Sequence, residues 1–476
     1  MAVDPHASTP ADWLVPHAPA PVHALVRLPG SKSMTNRALI LAALSDGPVL
    51  ITGPLIARDT QLMAGALRAL RCRIEESAGS WRVTSARAAR SGLSPGETRG
   101  GARPAVDIDV GNAGTVLRFV PPLAALTDSD VTFRGDARVS QRPVGPLLDA
   151  LRALGADIAD DGTGAVPFVV HGHGGVRGGT VTIDASSSSQ LVSGLLLAAP
   201  RFATSTLVRH WGPPVPSAPH IEMTVRMLRA CGVEVTSGAG GTSGTSGPAD
   251  PDARPRGDAL ASGARFVDHS WRVLPGPIRA ERIDIEPDLS NALPFLAAAI
   301  ATGGEVTVAG WPSDSLQPAT RIVELLTSMG ASVRHTAQGL AVSGPGQITG
   351  VGADLSEVGE LTPVLTALAA LASSPSEFTG IGHLRRHESD RLAALAGEIG
   401  KLGGDVTELA DGLRIRPAPL RADGVVFDSH DDHRLVMAAA VLGLVVDGLR
   451  VHNPATVAKT FPEFSGFWAR IAAPAG

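Results

Sequence analysis

The sequence of 476 residues has only three lysines, two cysteines and no tyrosine. Arginine supplies 38 of the 41 basic residues, and 46 acidic residues bring the net charge to −5. A negative net charge excludes a protein-wide basic field for a polyanion. Aromatic residues make up 4% of the chain, too few to provide a stacking platform for bases. We therefore expect no nucleic-acid partner.

Long apolar runs are also missing. The longest near the C-terminus, Leu435–Val446, stops at Asp447, whereas a membrane-spanning helix needs about 20 apolar residues. The first 21 residues lack the basic segment and apolar run of a secretory signal. The two cysteines, Cys72 and Cys231, cannot form a disulfide framework. We expect a cytoplasmic, monomeric protein with no membrane partner.

The chain repeats one pattern, in which an amphipathic helix leads, usually through glycine, into the β-branched start of a strand. Five helix endings share it: Ala66–Ile74, Ala150–Ile158, Met227–Val235, Leu325–Val333 and Glu398–Val406. A shorter ending, Phe464–Ile471, would complete a sixth unit. Six αβ units predict an α/β protein with three units in each of two domains. One stretch, 237–263, has almost nothing to bury and is predicted to be a flexible surface insertion.

Each unit also contains an Ala/Leu-rich helix with a polar start. These are Ser31–Leu44, Asn112–Leu126, Ser186–Ala199, Asp288–Ala301, Glu360–Leu371 and Asp431–Leu444. They are apolar almost all round, which predicts burial inside the domains. The helices Asp59–Leu70 and Val144–Leu154 are amphipathic and should lie outside them.

The starts of the buried helices combine small polar residues with cations. The clearest are Gly30–Arg37, Gly111–Arg118, Ser186–Gln190, Gly359–Thr362 and His430–Arg434. Helix N-termini present unpaired N–H groups and a positive dipole end, so each start can hold a phosphate or carboxylate. Ordinary N-capping explains such residues singly. It does not explain Lys32 and Lys459. Almost every other basic residue of the chain is arginine, so lysine at these two positions indicates a need for a compact, titratable ammonium.

Other chemistries fit the same residues less well. Gly30–Ser33 resembles half of a phosphate-binding P-loop, but Ser31 stands where that loop needs glycine and position 26 is not glycine. His430 and His433, with the neighbouring aspartates, could bind a metal, yet the chain has no HExxH spacing and no cysteine nearby. We therefore expect no metal and no cofactor.

Taken together, six motifs in this order resemble the enolpyruvyl transferase family: LPGSKSMTNRAL, GNAGTVLRF, SSSQ, HESDRL, DDHR and AKTFPEF. The resemblance extends from about Pro21 to Phe467. It implies a two-domain inside-out α/β barrel, in which each domain has three βαβαββ units with buried helices. Residues 32–285 would form one domain, and residues 1–31 and 286–476 the other.

The resemblance implies transfer of the enolpyruvyl group of phosphoenolpyruvate to the 5-hydroxyl of shikimate 3-phosphate, a step on the route to chorismate and the aromatic amino acids. Addition would give a tetrahedral intermediate, and elimination would release phosphate. The residues implied for shikimate 3-phosphate are Lys32, Ser33, Arg37, Ser188, Ser189, Gln190, Ser217, Glu360 and His387. Those implied for phosphoenolpyruvate are Lys32, Gly114, Arg142, Gln190, Arg391, Arg434 and Lys459.

The family pattern also assigns the acid–base groups. Glu360 aligns with the base for the 5-hydroxyl, and Lys32 and Glu388 are candidates for proton delivery to the methylene carbon. For Glu360, a carboxylate that satisfies the helix dipole is the alternative. The sequence departs from the family pattern at His387, where many relatives have lysine, and at His383, where some have asparagine.

Two alternatives stay open at this point. One is the related transferase that acts on UDP-N-acetylglucosamine, which typically has a reactive cysteine in a mobile loop; neither cysteine here lies in such a loop. The other is a non-catalytic anion-binding repeat protein. The carboxylates Glu360 and Glu388 argue against it, because binding anions alone needs no carboxylate among the cations.

Overall fold

The computed structural model describes residues 12–86, 103–240 and 267–473. The chain divides into two compact units, Gly30–Ile285 and the pair of segments Met1–Pro29 and Glu286–Gly476. The boundary predicted after residue 31 lies two residues beyond the first of these crossings.

The helices and strands are given in chain order. The helices are α1 Lys32–Leu44, α2 Arg58–Ala69, α3 Gly114–Ala124, α4 Gly145–Ala153, α5 Ser189–Ala198, α6 Pro219–Ala230, α7 Leu289–Thr302, α8 Ala319–Ser328, α9 Thr362–Ala370, α10 Arg391–Lys401, α11 His433–Gly443 and α12 Phe464–Ala472. The strands are β1 Trp13–Leu14, β2 His23–Val26, β3 Val49–Thr52, β4 Arg73–Ser77, β5 Ser80–Thr84, β6 Ala105–Asp109, β7 Asp130–Arg134, β8 Asp157–Ala159, β9 Phe168–His171, β10 Gly179–Ile183, β11 Thr206–Gly212, β12 Val235–Gly240, β13 Val267–Val273, β14 Arg282–Asp284, β15 Glu305–Ala309, β16 Ser332–Thr336, β17 Gly339–Ser343, β18 Gly352–Asp354, β19 Ser376–Thr379, β20 Asp405–Leu409, β21 Gly412–Arg416, β22 Val426–Asp428 and β23 Arg450–His452.

Across the described ranges the strands form six sheets, five of four strands and one of three. In the sheet β6-β7-β9-β8, the first two strands are parallel with α3 between them, and the other two pairings are antiparallel. The same βαβαββ order recurs in β10-β11-β13-β12 and β18-β19-β21-β20. The predicted repeated α/β architecture is thus confirmed.

In each unit the central helices pack against one another: α1, α3 and α5 in one, α7, α9 and α11 in the other. Every residue of α3, α9 and α11 is buried. The outer helices α2 and α4 bury one face only. The predicted burial of the apolar helices is confirmed, and their charged side chains lie within their first two turns. No helix of the described residues is long and apolar enough to cross a membrane.

The structure corrects two sequence-based boundaries. Residues 237–240 of the predicted insertion are the end of strand β12, paired with β13, and its residues 241–263 lie outside the described residues. Glu360 lies in the 3₁₀ turn Gly359–Leu361 rather than in the helix itself. Helix α9 begins after that turn because Pro363 fixes the backbone at its first turn.

Helices α3 and α5 approach so closely that one position admits no side chain. A Cβ atom added at Gly194 of α5 would lie 2.2 Å from the carbonyl oxygen of Arg118 in α3. In contrast, a Cβ atom at Gly65 of the outer helix α2 would meet nothing within 4 Å. Glycine is therefore required at Gly194 by packing and is replaceable at Gly65.

Gly194→Ala should lower the melting temperature in calorimetry, because overpacking a buried contact costs about 1–3 kcal/mol. Gly65→Ala is the matched control and should raise stability by about 0.5–1 kcal/mol, since alanine loses less backbone entropy in a helix. Equal melting temperatures for the two variants would contradict the close approach of α3 and α5.

Candidate active site

At the start of α1, Lys32 is held by a buried carboxylate. Ser31 caps the helix, and its Oγ accepts a hydrogen bond from the Met34 amide at 3.4 Å. The Lys32 ammonium lies 3.3 Å from Oδ2 of Asp59 at the start of α2, and the Asp59 side chain is only 4% exposed. The ammonium therefore has a fixed position beside unpaired helix N–H groups.

Two guanidinium groups converge on the start of α3. A Cβ atom at Gly114 would lie 2.5 Å from Nη2 of Arg142 and 3.0 Å from Nη1 of Arg118. Arg142 donates from Nη1 to the Asn112 carbonyl at 2.9 Å. Burial, and then the charge of Arg142, hold the pKa of Arg118 well below its usual value. Two adjacent cations at a helix N-terminus form a site for an anion.

Arg118 also connects α3 with the start of α5. Its Nε and Nη2 donate to the Pro143 carbonyl at 3.1 and 2.9 Å, and its Nη1 donates to Oε1 of Gln190 at 2.9 Å. Ser188 caps α5 and accepts a hydrogen bond from the Gln190 amide at 3.3 Å. Ser189 is the first residue of that helix. Arg118 thereby orients the side-chain amide of Gln190.

Arg37 is almost completely buried, at 1% exposure. It donates four hydrogen bonds of 2.8–3.3 Å within its own unit, to Thr224 Oγ1, the Ser33 carbonyl, Ser193 Oγ and the His220 carbonyl. Burial lowers its pKa to about 9, so it stays protonated at neutral pH. Arg37 thus ties α1 to α5 and α6, and one of its five N–H donors is left for a ligand.

In the other unit, Glu388 lies between His433 and Lys459. Its Oε2 is 2.8 Å from Nδ1 of His433, its Oε1 is 2.9 Å from the Lys459 ammonium, and all three side chains are under 10% exposed. Burial alone would raise the pKa of Glu388, but the charges of His433 and Lys459 outweigh it and hold this pKa well below the usual value. The carboxylate is ionised at neutral pH.

A second carboxylate, Asp432, fixes the Arg391 side chain and caps α11. It accepts from Nε and Nη2 of Arg391 at 2.7 and 3.1 Å, and from Oγ of Ser389 at 3.1 Å. Asp432 also caps α11 by accepting from the Arg434 amide at 3.0 Å. The Arg434 guanidinium donates to the Ser290 carbonyl at 2.9 Å. A bidentate carboxylate fixes the plane as well as the position of the Arg391 guanidinium.

Histidines surround the turn that carries Glu360. A Cβ atom at Gly359 would lie 2.8 Å from Nε2 of His383, so this imidazole rests against the turn. Burial lowers the pKa of His383, although the Glu360 carboxylate opposes that shift. His387 lies beside it, with ring centroids 5.4 Å apart and Nδ1 3.4 Å from Nη1 of Arg391.

The residues considered for a metal are engaged by other groups. Donor atoms of Glu388, Asp432 and His433 lie within 4.8 Å of one another. Lys459 and Arg391 already contact the two carboxylates, so a metal ion would have to displace cations from both. His430 does not join the group, because its Nε2 lies 2.8 Å from Oε1 of Glu398.

Three residues at these helix starts, Arg118, Asp59 and Asp432, are absent from the substrate-binding set predicted from the sequence. Arg118 lies four residues after Gly114, a spacing that puts both on one helix face and could have signalled their proximity. Asp59 and Asp432 look like ordinary acidic residues at helix starts. His433 was considered only as a metal ligand.

Each unit therefore places cations, oriented by carboxylates or carbonyls, at or next to the starts of its central helices. Such an arrangement can hold phosphate and carboxylate groups. Lys32, Glu360, Glu388 and Lys459 add groups that can transfer protons.

Comparison with known proteins places the chain in a family. The family model of EPSP synthase (3-phosphoshikimate 1-carboxyvinyltransferase) matches residues 16–255 and 264–468. A 3-phosphoshikimate 1-carboxyvinyltransferase from Mycobacterium ulcerans (strain Agy99) is 46% identical over 465 residues, which are 96% of this chain and 97% of that protein.

Solved structures of EPSP synthase from Acinetobacter baumannii are also similar. One, at 2.37 Å resolution, superposes with a TM-score of 0.73 and 25% identity over 97% of this chain and 98% of that one. Another gives a TM-score of 0.72, also at 25% identity, over 96% and 97% of the two chains.

The low pKa of Glu388 generates a prediction about acid stability. A carboxyl whose pKa is lowered on folding stabilises the protein above its unfolded pKa, and that stability is lost as the pH falls through the folded value. Glu388→Gln should therefore lower the free energy of unfolding at pH 7 by about 3–5 kcal/mol, the cost of breaking a buried ion pair. Below about pH 5, the free energy of unfolding of this variant should fall less than that of the wild type.

Urea unfolding measured across this pH range checks the prediction. Glu377→Gln is the control, since Glu377 forms a surface pair with Arg414, both side chains being 43% exposed, and should behave like the wild type. A Glu388→Gln curve that runs parallel to the wild-type curve would show that Glu388 is not ionised in the folded protein.

Proposed function

The chain belongs to the EPSP synthase family, and we propose that it transfers the enolpyruvyl group of phosphoenolpyruvate to the 5-hydroxyl of shikimate 3-phosphate, releasing phosphate. The observation that carries this proposal is the family match over 16–255 and 264–468, which includes all six motifs that line the helix starts. We further propose that the enzyme acts as a cytoplasmic monomer.

Shikimate 3-phosphate is assigned to the starts of α1 and α5 and to neighbouring loops. The proposed binding residues are Lys32, Ser33, Arg37, Ser188, Ser189, Gln190, Ser217, Glu360 and His387. Hydroxyl groups and N–H donors at a helix start suit a phosphate, and the Lys32 ammonium adds charge. Support comes from the fixed positions of Lys32 beside Asp59 and of Ser188 at the cap of α5.

Phosphoenolpyruvate, which carries a phosphate and a carboxylate, is assigned to the planar guanidinium groups. The proposed residues are Lys32, Gly114, Arg142, Gln190, Arg391, Arg434 and Lys459. Gly114 leaves room for the convergence of Arg142 and Arg118, and we add Arg118 because it orients Gln190. Guanidinium forks match the geometry of both anionic groups.

The proposed chemistry removes the hydroxyl proton, adds one proton to the methylene carbon and later removes one from the resulting methyl group. Glu360 accepts the proton of the 5-hydroxyl as that oxygen bonds to C2 of phosphoenolpyruvate, while Lys32 donates a proton to the methylene carbon. In the elimination, the C–O bond to phosphate breaks and the methyl group returns a proton. Because Glu388 is ionised, it suits accepting that proton rather than delivering the first one.

The cysteines weigh against the UDP-N-acetylglucosamine transferase alternative. Both are buried. Burial raises the pKa of Cys231 to about 11 and also raises the pKa of Cys72. A reactive cysteine needs a lowered pKa and access to solvent, and neither thiol has them.

The most direct experiment measures phosphate release from phosphoenolpyruvate, with and without shikimate 3-phosphate, in the presence of a chelator. We expect release only when both substrates are present, and no effect of the chelator. Release with UDP-N-acetylglucosamine but not with shikimate 3-phosphate would contradict the proposal, as would no release with either acceptor.

Lys32→Met should reduce kcat by about 10²–10⁴, the usual contribution of a general acid. Lys401→Met is a matched control, because Lys401 also pairs with a buried carboxylate, Glu398 at 2.7 Å, but lies outside the proposed site. Lys401→Met should keep kcat within about twofold of wild type. Near-wild-type turnover of Lys32→Met would remove Lys32 from the mechanism.

Glu360→Ala should lower kcat far more than it raises either KM, because a general base acts in the transition state. The exposed neighbour Glu357 provides the control, and Glu357→Ala should leave both parameters unchanged. If Glu360→Ala changed only the KM for shikimate 3-phosphate, Glu360 would be a binding residue and not the base.

A further inference from the structure

One buried histidine lies where two proposed substrate loops begin. His210 belongs to strand β11, has no exposed surface, and pairs in register with Ile183 at the end of the parallel strand β10. The loop after β10 leads to Ser188 and Ser189, and the loop after β11 leads to Ser217. The chemistry proposed above does not use this imidazole.

The first contact of His210 is with the loop after β10. The amide of Ala185 donates to Nδ1 of His210 at 3.1 Å. The carbonyl of the same Ala185 accepts from the Ser188 amide at 3.0 Å. Two consecutive hydrogen bonds therefore connect the imidazole to the residue that caps α5.

The second contact is with the loop after β11. Nε2 of His210 lies 2.9 Å from the Pro213 carbonyl. Pro214 and Pro216 restrict the backbone between this anchor and Ser217. Ser217 itself has a φ of 51°, a left-handed conformation that is unfavourable for serine and must be held by its surroundings. The hydrogen bond from His210 to the Pro213 carbonyl thus fixes the position at which the segment 213–217 begins.

One neutral tautomer of His210 satisfies the contacts with Pro213 and Ala185, and it leaves the Ile183 carbonyl, 3.3 Å from Nδ1, without a hydrogen bond from the ring. Pro213 offers only an acceptor, so Nε2 carries the proton, and Nδ1 is then free to accept from Ala185. Burial lowers the pKa of His210, which keeps the ring neutral. The close packing also explains Gly212, where a Cβ atom would lie 2.7 Å from Oδ1 of Asp184 and 3.1 Å from Cε1 of His210.

We propose that His210 is a positioning residue for shikimate 3-phosphate, because its two ring nitrogens set the spacing between the loop bearing Ser188 and Ser189 and the loop bearing Ser217. This inference rests on the proposed function and adds a residue that acts through these loops rather than on the substrate.

Three variants separate the two contacts. The side-chain oxygen of His210→Asn can replace Nδ1 as an acceptor for Ala185, the amide nitrogen of His210→Gln can replace Nε2 as a donor to Pro213, and His210→Ala loses both bonds. Each single loss should raise the KM and the Kd for shikimate 3-phosphate about tenfold, the scale of one buried hydrogen-bond partner, and the alanine variant should raise them further. The KM for phosphoenolpyruvate should change by less than about twofold.

Thr206→Val is the matched control. Thr206 is a fully buried polar residue on the same strand, and its hydroxyl has no hydrogen-bond partner within the described part of the chain. Valine has nearly the same shape, so this variant should bind both substrates as the wild type does.

Steady-state kinetics and calorimetric titration with shikimate 3-phosphate decide the outcome. If His210→Ala folds poorly, the asparagine and glutamine variants still test the inference, since each keeps one bond. Unchanged affinity for shikimate 3-phosphate in these variants, or equal increases in both KM values, would overturn the positioning role while the proposed function stands. A wild-type protein that neither binds nor turns over shikimate 3-phosphate would overturn the proposed function itself.

Discussion

The complete burial of the central helices is the constraint on which the rest of the structure depends. Helices α3, α9 and α11 have no face in contact with water, and their charged side chains lie within the first two turns. The N-terminal end is also where unpaired N–H groups and the positive end of the dipole lie. A fold built from repeats of one buried helix therefore generates several anion-binding positions, and the sequence adds cations to them.

Cations this far from water must themselves be stabilised before a substrate arrives. An uncompensated buried charge costs several kcal/mol, and these sites avoid that cost with carboxylates: Asp59 for Lys32, Glu388 for Lys459 and Asp432 for Arg391. Arg118 and Arg142 use backbone carbonyls instead. The net charge of −5 is therefore compatible with a polyanionic substrate pair, because the positive charge is local and held in fixed positions.

The repeated architecture could be predicted from the sequence because local residue patterns determine it. Apolar helices with polar starts, and glycine at the helix ends, specify the buried helices and the strands that follow them. The motifs also indicated the family, which is confirmed. The roles of single residues within the motifs stay predictions, since they depend on substrates.

The partners of those residues could not be predicted, because they come from distant parts of the chain. No residue near Glu388 in the sequence indicates its contact with His433, which lies 45 residues away. Local spacing indicated only that His433 could be a metal ligand. His210 lies in an ordinary strand, and only the parallel pairing of β10 with β11 brings Ala185 to its ring. Arg118 is the exception, since its helical spacing from Gly114 was visible and its contact with Gln190 was not.

The central claim is that cations held at the starts of buried helices bind the anionic groups of the substrate. Calorimetric titration of the protein with shikimate 3-phosphate and with unphosphorylated shikimate tests it most directly. Several charge-assisted hydrogen bonds to one phosphate should make the phosphorylated ligand bind at least about 100-fold more tightly. Equal affinity for the two ligands would contradict the account.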